Sequence, residues 1–241
     1  MTQDGTECDG IIVFSRLDSR RLPGKALTKI AGRTLLGRVL DRVRRVTGPK
    51  VVIATSNRSM DDPIAAVGGE EGVPVFRGSC EDVVGRAFAC ATQFGFRRFV
   101  RVSGDSPFIP PELISSFLMH HSATPANLLT NTFPRSFPPG ASIEIIGRDF
   151  LEKMLGHVLD AEDREHVTRY AYRHPDDFNI INVSALDDRY KNIVLTVDEP
   201  ADILRIEAII RAMGSDSPDA DLDRVVEAAR QVNIRHPSEY Q

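Results

Sequence analysis

The stretch GIIVFSRLDSRRLPGK, residues 10–25, joins a short apolar run to a strongly basic loop. The run GIIVF predicts a buried strand. The loop after it has one acidic residue, Asp18, and four basic ones: Arg16, Arg20, Arg21 and Lys25. Arginine forks and lysine point charges suit the oxygens of a polyphosphate, and Pro23-Gly24 is expected to turn Lys25 inward. The loop therefore predicts a site for a small anion, with a solvated surface loop as the alternative.

The composition places this loop in an otherwise mildly acidic protein. The 241 residues carry a net charge of −4, with 41% hydrophobic and 27% charged residues, which suits one α/β domain. A general nucleic-acid binder usually has a basic excess, so a small ligand is favoured over a polymer and no nucleic-acid partner is expected. Cys8, Cys80 and Cys90 are too scattered for a disulfide framework or a structural zinc site. The polar N-terminus and the absence of a long apolar run predict a cytoplasmic protein without a signal peptide or membrane helix.

The first half of the chain alternates strand and helix patterns. Four short apolar runs predict buried strands at residues 10–14, 50–55, 73–76 and 99–105. Helical spacing of apolar residues follows each run, at 34–46 with Thr34 as N-cap, from 61–63 to about 72, at 81–94 and at 110–121. Four βα units predict a doubly wound, mostly parallel sheet, which binds ligands outside the carboxyl ends of its strands.

After residue 121 the pattern becomes less regular. Strands are predicted at 126–131, 141–147, 178–184 and 192–198, and helices at 149–159, 162–174, 200–213 and 219–232. The prediction is one domain over residues 1–241. Within it, residues 126–184 are interpreted as an inserted excursion that serves a second substrate or dimer contacts.

Two aspartates end predicted strands at matching positions. Asp105 lies in SGDSP and Asp198 in LTVDEP, each before a proline-started helix. Mg²⁺ prefers one or two carboxylates together with phosphate oxygens, so the pair predicts a magnesium site beside the basic loop. Each aspartate alone would more often be a turn residue or a helix cap. Neither GxGxxG nor GxxxxGK[ST] is present in the basic loop, so the usual dinucleotide and Walker fingerprints are absent.

Several of these motifs, taken in order, resemble the cytidylyltransferases. They are GIIVFSRLDSRRLPGKAL, VVIATSN, VFRGSCEDVVGR, RVSGDSP, REHVT and LTVDEPADI, and they cover residues 10 to about 213. The resemblance is greatest to the spore-coat polysaccharide biosynthesis branch, whose relatives make CMP-3-deoxy-octulosonate and CMP-sialic acids. It implies a Rossmann-like nucleotidyltransferase fold and a homodimer. This chain has Phe14-Ser15, Arg20 and Arg169 where the family commonly has Gln-Ala, a small residue and proline.

The resemblance also implies roles for individual residues. Those matching the nucleotide site are Arg16, Ser19, Arg21, Lys25, Arg77, Ser79, Asp82 and Arg86. Asp105 and Asp198 match the metal ligands, and the catalytic set implied is Lys25, Arg21 and Asp105. The acceptor half is matched by Arg135, Glu144, Arg164, Glu165 and His166. His166 is also a candidate general base, with an ordinary surface or core histidine as the alternative.

The function expected from these residues is Mg²⁺-dependent transfer of CMP from CTP to a sugar, with release of pyrophosphate, for surface polysaccharide or glycan biosynthesis. Arg135, Arg164 and Arg169 would suit the carboxylate of a sugar acid. Two alternatives stay open at this point. One is a nucleotidyltransferase that uses another nucleoside triphosphate or a sugar 1-phosphate. The other is a nucleotide-binding module without catalysis.

Overall fold

A computed structural model describes residues 8–124, 126–157, 159–214 and 218–235. The first seven residues, on which the prediction of no signal peptide rests, lie outside this range. The described residues form nine strands: β1 Cys8–Phe14, β2 Lys29–Ile30, β3 Arg33–Thr34, β4 Lys50–Ser56, β5 Val75–Gly78, β6 Phe96–Ser103, β7 Leu128–Thr130, β8 Glu144–Gly147 and β9 Ile180–Asn182.

Seven of these strands build one sheet, in the order β5-β4-β1-β6-β8-β7-β9. Strand β1 pairs in parallel with β4 on one side and β6 on the other, while β8 runs antiparallel to β6 and β7. The remaining strands, β2 and β3, form a small antiparallel hairpin. The predicted mostly parallel sheet is confirmed, and the strand order reverses at β1, where such sheets bind ligands.

Nine α-helices surround the sheet in the described residues. They are α1 Leu35–Val43, α2 Asp62–Glu70, α3 Val83–Gln93, α4 Pro111–Ala123, α5 Arg148–Leu155, α6 Ala161–Glu165, α7 Arg169–Arg173, α8 Pro200–Ala212 and α9 Leu222–Arg235. Helices α1, α2 and α4 pack on one face of the sheet, and α3, α5 and α7 on the other. Helices α8 and α9 pack together beside the hairpin around a third apolar cluster. This is the doubly wound arrangement that the alternating pattern predicted.

The alternation of side chains along β1 explains how one strand holds two layers together. Ile11 and Val13 point into the cluster under α1, whereas Ile12 points into the cluster under α3, and all three are fully buried. A strand buried on both faces is apolar throughout, which is why GIIVF lacks a polar alternation. Thr34 caps α1 as predicted, since its hydroxyl accepts a hydrogen bond from the N–H of Gly37 at 3.1 Å.

Two secondary-structure predictions are wrong. The segment 192–198 is not a strand: its backbone bonds individually to two other segments, Leu195 N–H to Pro139 O and Val197 N–H to Asp105 O. Its apolar alternation reflects burial of Leu195 and Val197 beneath α8 and α9 rather than sheet pairing.

The helix predicted at 162–174 is two short helices, α6 and α7. The chain leaves the helical conformation at His166, whose φ is −110° and ψ 96°. This break lets Val167 enter the apolar core and brings the hydroxyl of Thr168 within 2.8 Å of Glu144.

In the part of the chain that the structure describes, no helix is long and apolar enough to cross a membrane.

The carboxyl ends of β1 and β6 lie side by side, and the basic loop leaves from one of them. The stretch 126–184 adds β7, β8 and β9 to the far half of the same sheet. The fold therefore places the basic loop and the stretch containing the predicted acceptor residues at neighbouring parts of one sheet edge.

Candidate active site

A cleft of about 390 Å³ opens where β1 and β6 end. At the base of this cleft Gly104 lets the two strand ends approach closely. The N–H of Gly104 donates to Phe14 O at 2.9 Å, and a Cβ on Gly104 would lie only 2.9 Å from Ser15 Oγ. Three carboxylates line the cleft, from Asp105, Glu165 and Asp198. Six basic side chains line it as well: Arg16, Arg20, Arg21, Lys25, Arg86 and Arg101. This excess of positive charge suits an anion that carries several charges.

The basic loop is held in a fixed shape by hydrogen bonds of its backbone N–H groups. The N–H of Leu17 donates to the fully buried carboxylate of Asp61 at 2.7 Å, and the N–H of Gly24 donates back to Leu17 O at 2.8 Å. Gly24 has a φ of 76°, a conformation that glycine adopts without strain. The loop is thereby closed on itself, and Lys25 follows directly after the turn.

Lys25 points inward and joins both strand-end aspartates. Its ammonium donates to Asp105 Oδ2 at 3.0 Å, to Asp198 Oδ1 at 2.9 Å and to Val197 O at 2.9 Å. Only 14% of its side chain is exposed. Burial alone would raise the pKa of Asp198, but the charges of Lys25 and Arg21 outweigh burial and lower it. Both predicted metal ligands therefore converge on one point, and there they share a lysine.

The donor set at this point fits a hard divalent cation in part. Two carboxylates that meet within hydrogen-bonding distance of one atom are the protein ligands Mg²⁺ usually takes, with phosphate and water oxygens completing the shell. In the described portion of the chain, no group of three or more His, Cys, Asp or Glu residues could hold a metal. A cation held by Asp105 and Asp198 would thus depend on oxygens from the ligand itself.

Two of the loop's three arginines, Arg16 and Arg21, are paired with nearby acids. Arg16 donates to Glu165 at 2.7 Å, which lowers the pKa of that carboxyl, and it also pairs with Asp18 at 3.2 Å. The exposed Arg21 contacts Glu199 at 3.1 Å and Asp198 at 3.3 Å. The exposed pair of Arg21 with Glu199 is of a weak kind, so the Arg21 guanidinium can exchange that partner for an entering anion, whereas the pair of Arg16 with Glu165 is part-buried.

Arg86 is the most buried cation of the cleft, with 4% exposure. It donates to Ser79 O at 2.6 Å and lies over the ring of Phe14, while its Nε has no hydrogen-bond partner. Burial lowers the pKa of Arg86. A buried, poorly neutralised guanidinium at a cleft wall favours an anionic or carbonyl group of a ligand.

A second cavity of about 410 Å³ adjoins the first, and Arg101 and His166 line both. Its wall contains the buried Glu144, which accepts hydrogen bonds from Arg101, from Thr168 at 2.8 Å and from Tyr172 at 2.6 Å. Burial would raise the pKa of Glu144, but these three donors lower it. The carboxylate is therefore charged, and both of its oxygens accept hydrogen bonds from protein side chains.

Three further arginines line the second cavity and differ in how they are neutralised. Arg169 and Arg173 are paired with acids of the α6 region, among them Asp163, which both contact. Arg135 instead donates to a neutral hydroxyl, that of Ser142, at 2.8 Å. Of these three, Arg135 has its positive charge least compensated by the protein and is best suited to bind an anionic ligand.

The structure brings most of the predicted site residues to the two cavities. The first cavity collects the predicted residues Arg16, Ser19, Arg21, Lys25, Arg86, Asp105, Glu165, His166 and Asp198, and the second collects Arg135, Glu144 and His166. Four predicted residues line neither cavity: Arg77, Ser79, Asp82 and Arg164.

Those four residues make structural contacts instead. Arg77 ties the end of β4 to α2 through Ser56 O at 3.0 Å and Asp62 at 2.6 Å. Asp82 caps α3 by accepting from the N–H of Gly85 at 2.9 Å, and it also pairs with Arg164 at 3.3 Å. The hydroxyl of Ser79 accepts from the N–H of Asp82 at 3.0 Å.

Arg101 and Asp61 are among the residues at the site that were not predicted from the sequence. Arg101 interrupts the apolar strand FVRVS, and its side chain faces the same way as Ser103, which was the available signal. Asp61 gave no such signal, because its DDP context marks a helix start. Only the fold shows that its carboxylate holds the basic loop.

Comparison with known proteins gives a matching family model. It is described as cytidylyltransferase, and it matches residues 10–199. The spore coat polysaccharide biosynthesis protein SpsF of Bacillus subtilis is 29% identical over 222 residues, covering 89% of this chain and 91% of that protein. The 3-deoxy-manno-octulosonate cytidylyltransferase of Yersinia enterocolitica is 31% identical over 126 residues, about half of each chain.

A solved structure shows the same fold over nearly the whole chain. The structure of a cytidylyltransferase from Leptospira borgpetersenii superposes with a TM-score of 0.88 at 27% identity, covering 98% of both chains. The resemblance inferred from the motifs is confirmed by these matches.

Proposed function

This chain belongs to the cytidylyltransferase family, and we propose that it transfers CMP from CTP to the hydroxyl of a sugar acid with release of pyrophosphate. The observation that carries the proposal is the pair of adjoining cavities. One is lined by six cations, Lys25 among them, together with Asp105 and Asp198, and the other is lined by arginines and hydroxyls. A triphosphate suits the first, and a hydroxylated anion suits the second.

The reaction requires little covalent chemistry from the protein. The acceptor hydroxyl oxygen forms a bond to the α-phosphorus, and the bond from that phosphorus to the bridging oxygen breaks. Pyrophosphate leaves with the bonding electrons, and the hydroxyl proton passes to solvent or to a nearby base. Positioning and charge stabilisation account for most of the catalysis in such a step.

The residues of the loop would bind the triphosphate. Lys25 and Arg21 would contact the β- and γ-phosphates and stabilise the negative charge of the leaving pyrophosphate. Arg16 would add a guanidinium once Glu165 releases it. Mg²⁺, when bound by Asp105 and Asp198, would neutralise phosphate charge. The two aspartates lie at the end of the cleft where Lys25 already holds them.

The second cavity would bind the acceptor. Arg135 would pair with a carboxylate in bidentate fashion, and the hydroxyls of Thr132 and Ser142 would bond to those of a sugar. His166 lines both cavities and would lie near the attacking hydroxyl. A CMP-activated sugar acid is a glycosyl donor, so a role in surface polysaccharide or glycan biosynthesis follows from the proposal.

Pyrophosphate release tests this function directly. Purified protein with Mg²⁺ is assayed with each of the four nucleoside triphosphates against sugar acids and their neutral counterparts. We expect release only with CTP and a sugar acid. Release at an equal rate with a sugar 1-phosphate as acceptor, or with UTP as nucleotide, would contradict the proposed substrates. CTP binding without release for any acceptor would favour a non-catalytic nucleotide-binding module.

A further inference from the structure

Arg101 occupies the junction between the two cavities. It lies on β6, four residues before Asp105, and it lines the nucleotide cleft and the second cavity at once. Among the described residues, the only other one shared by both cavity walls is His166, which lies in the short link between α6 and α7. Arg101, by contrast, projects from a central strand of the sheet.

Glu144 holds the guanidinium of Arg101 in place. The two residues are register partners on β6 and β8, and Arg101 Nη1 donates to Glu144 Oε2 at 2.5 Å. The other carboxylate oxygen of Glu144 accepts from the hydroxyls of Thr168 and Tyr172. A carboxylate fixed by two hydroxyls restricts the rotamers of the arginine that donates to it, so Arg101 is preorganised before any ligand enters.

This arrangement leaves part of the guanidinium for a ligand. Arg101 Nε is buried and has no hydrogen-bond partner in the described structure. That N–H group is closed to solvent, so the part of Arg101 that a ligand can contact is the exposed surface of its side chain rather than Nε. About a third of the side chain remains exposed to the cavities.

We propose that Arg101 is a catalytic residue that donates hydrogen bonds to the α-phosphate of the bound nucleotide and stabilises its charge during transfer. The inference rests on the proposed function. In that reaction the α-phosphorus is the only atom that must be reached from both sides, by the nucleotide from the first cavity and by the acceptor hydroxyl from the second. The junction is where the cavities meet, and Arg101 is its fixed cation.

The location separates this role from binding of the acceptor. A residue that only held an acceptor carboxylate would be expected to line the second cavity alone, as Arg135 does, without lining the nucleotide cleft. In the proposed binding mode the β- and γ-phosphates are contacted by Lys25 and Arg21, which line the nucleotide cleft and not the second cavity. No bond or proton changes at Arg101 in the proposed step, because it acts through charge and hydrogen bonding alone.

The test measures nucleotide binding without an acceptor, so it does not depend on turnover. CTP and CMP are titrated into wild type and into Arg101→Met, and the ³¹P resonances of bound CTP are recorded. We expect both affinities to fall by about 10–100-fold, the value of a charge-assisted hydrogen bond. The α-phosphorus resonance should move while the β and γ resonances stay. Arg101→Lys should recover part of the affinity.

Two further variants control for charge and folding. Arg97→Met removes an exposed arginine from the same strand outside both cavities, and it should bind CTP and CMP as wild type does. Because Arg101→Met leaves Glu144 buried without its cation, the double variant Arg101→Met/Glu144→Gln provides a neutral background with the same loss of affinity.

The outcomes separate this inference from the proposed function. If the wild-type protein binds CTP and the Arg101 variants bind it with the same affinity, the role of Arg101 is overturned and the proposed function is not. Equal movement of all three phosphorus resonances would also overturn it, because that pattern indicates general loosening of the site. Failure of the wild-type protein to bind any nucleotide would overturn the proposed function as well.

Discussion

Replacing Lys25 with methionine should destabilise the protein and make it respond to Mg²⁺ without a nucleotide. Lys25 is the cation that lies between Asp105 and Asp198, so both carboxylates already have a positive partner in the free protein. Its ammonium therefore competes with a metal ion for the same oxygens. Removing it leaves two aspartates facing one another, and a divalent cation becomes the natural replacement.

The size of the effect follows from the contacts that are lost. The ammonium makes three hydrogen bonds, two of them to carboxylates. Hydrogen bonds to charged groups contribute about 1.5–3 kcal/mol each. Asp105 and Asp198 are 20% and 30% exposed and can regain water, so we expect a total loss of about 2–4 kcal/mol. For a chain of this length that lowers Tm by about 5–15 °C.

Thermal unfolding with and without 10 mM Mg²⁺ measures both effects. If the Lys25→Met variant binds Mg²⁺ with a Kd of about 1 mM, the ion restores about 1.4 kcal/mol, whereas wild type should change little. Adding Asp105→Asn to the variant should abolish the response, which ties it to this pair of carboxylates. A Lys25→Met variant as stable as wild type, or an equal Mg²⁺ response in both proteins, would refute this reasoning.

Three other changes have defined outcomes. Asp105→Asn should reduce pyrophosphate release by at least about 10²-fold at saturating Mg²⁺ in a protein that remains folded; an unchanged rate would show that Asp105 is not a metal ligand. Asp61→Ala should cost about 1–3 kcal/mol of stability and raise the KM for CTP, because the N–H of Leu17 loses its acceptor in a buried position; unaltered urea unfolding and KM would contradict that anchoring role. Burial, together with the charge of Arg98, lowers the pKa of His121. The folded chain therefore binds fewer protons there than the unfolded chain, and stability should fall as pH drops from about 6.5 toward that lowered pKa. A His121→Asn variant should lack this part of the pH dependence in urea titrations between pH 7.5 and 5.5, and the same dependence of stability on pH in both proteins would contradict the prediction.

The sequence predicts the sheet well because its signals are local. Runs such as GIIVF and KVVIAT are buried on both faces, and an apolar, β-branched run has few other structures available to it. The cap at Thr34 and the turn at Gly24 are likewise decided by residues next to them in the chain. These features do not need knowledge of distant partners.

The errors occur where distant contacts decide the local structure. The segment 192–198 alternates like a strand, but strand pairing needs a free sheet edge, and its backbone instead bonds to Pro139 and Asp105. The periodicity of 162–174 is helical throughout, yet Val167 and Thr168 leave the helix to reach the core and Glu144. Neither contact can be recognised from the segment itself.

The candidate site shows the same division. Lys25, Asp105 and Asp198 stand out in the sequence because each ends or follows a strand in a distinctive motif. In the structure, carboxylate oxygens of both aspartates lie within 3.0 Å of the Lys25 ammonium nitrogen. Arg101 and Glu144 are single charged residues within apolar strands, and their pairing depends on the register between β6 and β8. Register is a property of the folded sheet, so the junction between the two cavities became visible only in the structure.

The most direct test of the proposed reaction is a ³¹P NMR spectrum of the protein incubated with CTP, Mg²⁺ and a sugar acid. We predict that the three CTP resonances are replaced by one phosphodiester resonance from a CMP-sugar and by inorganic pyrophosphate, in equal amounts. CTP that persists unchanged with every sugar acid, or that yields only CDP and inorganic phosphate, would contradict nucleotidyl transfer at this site.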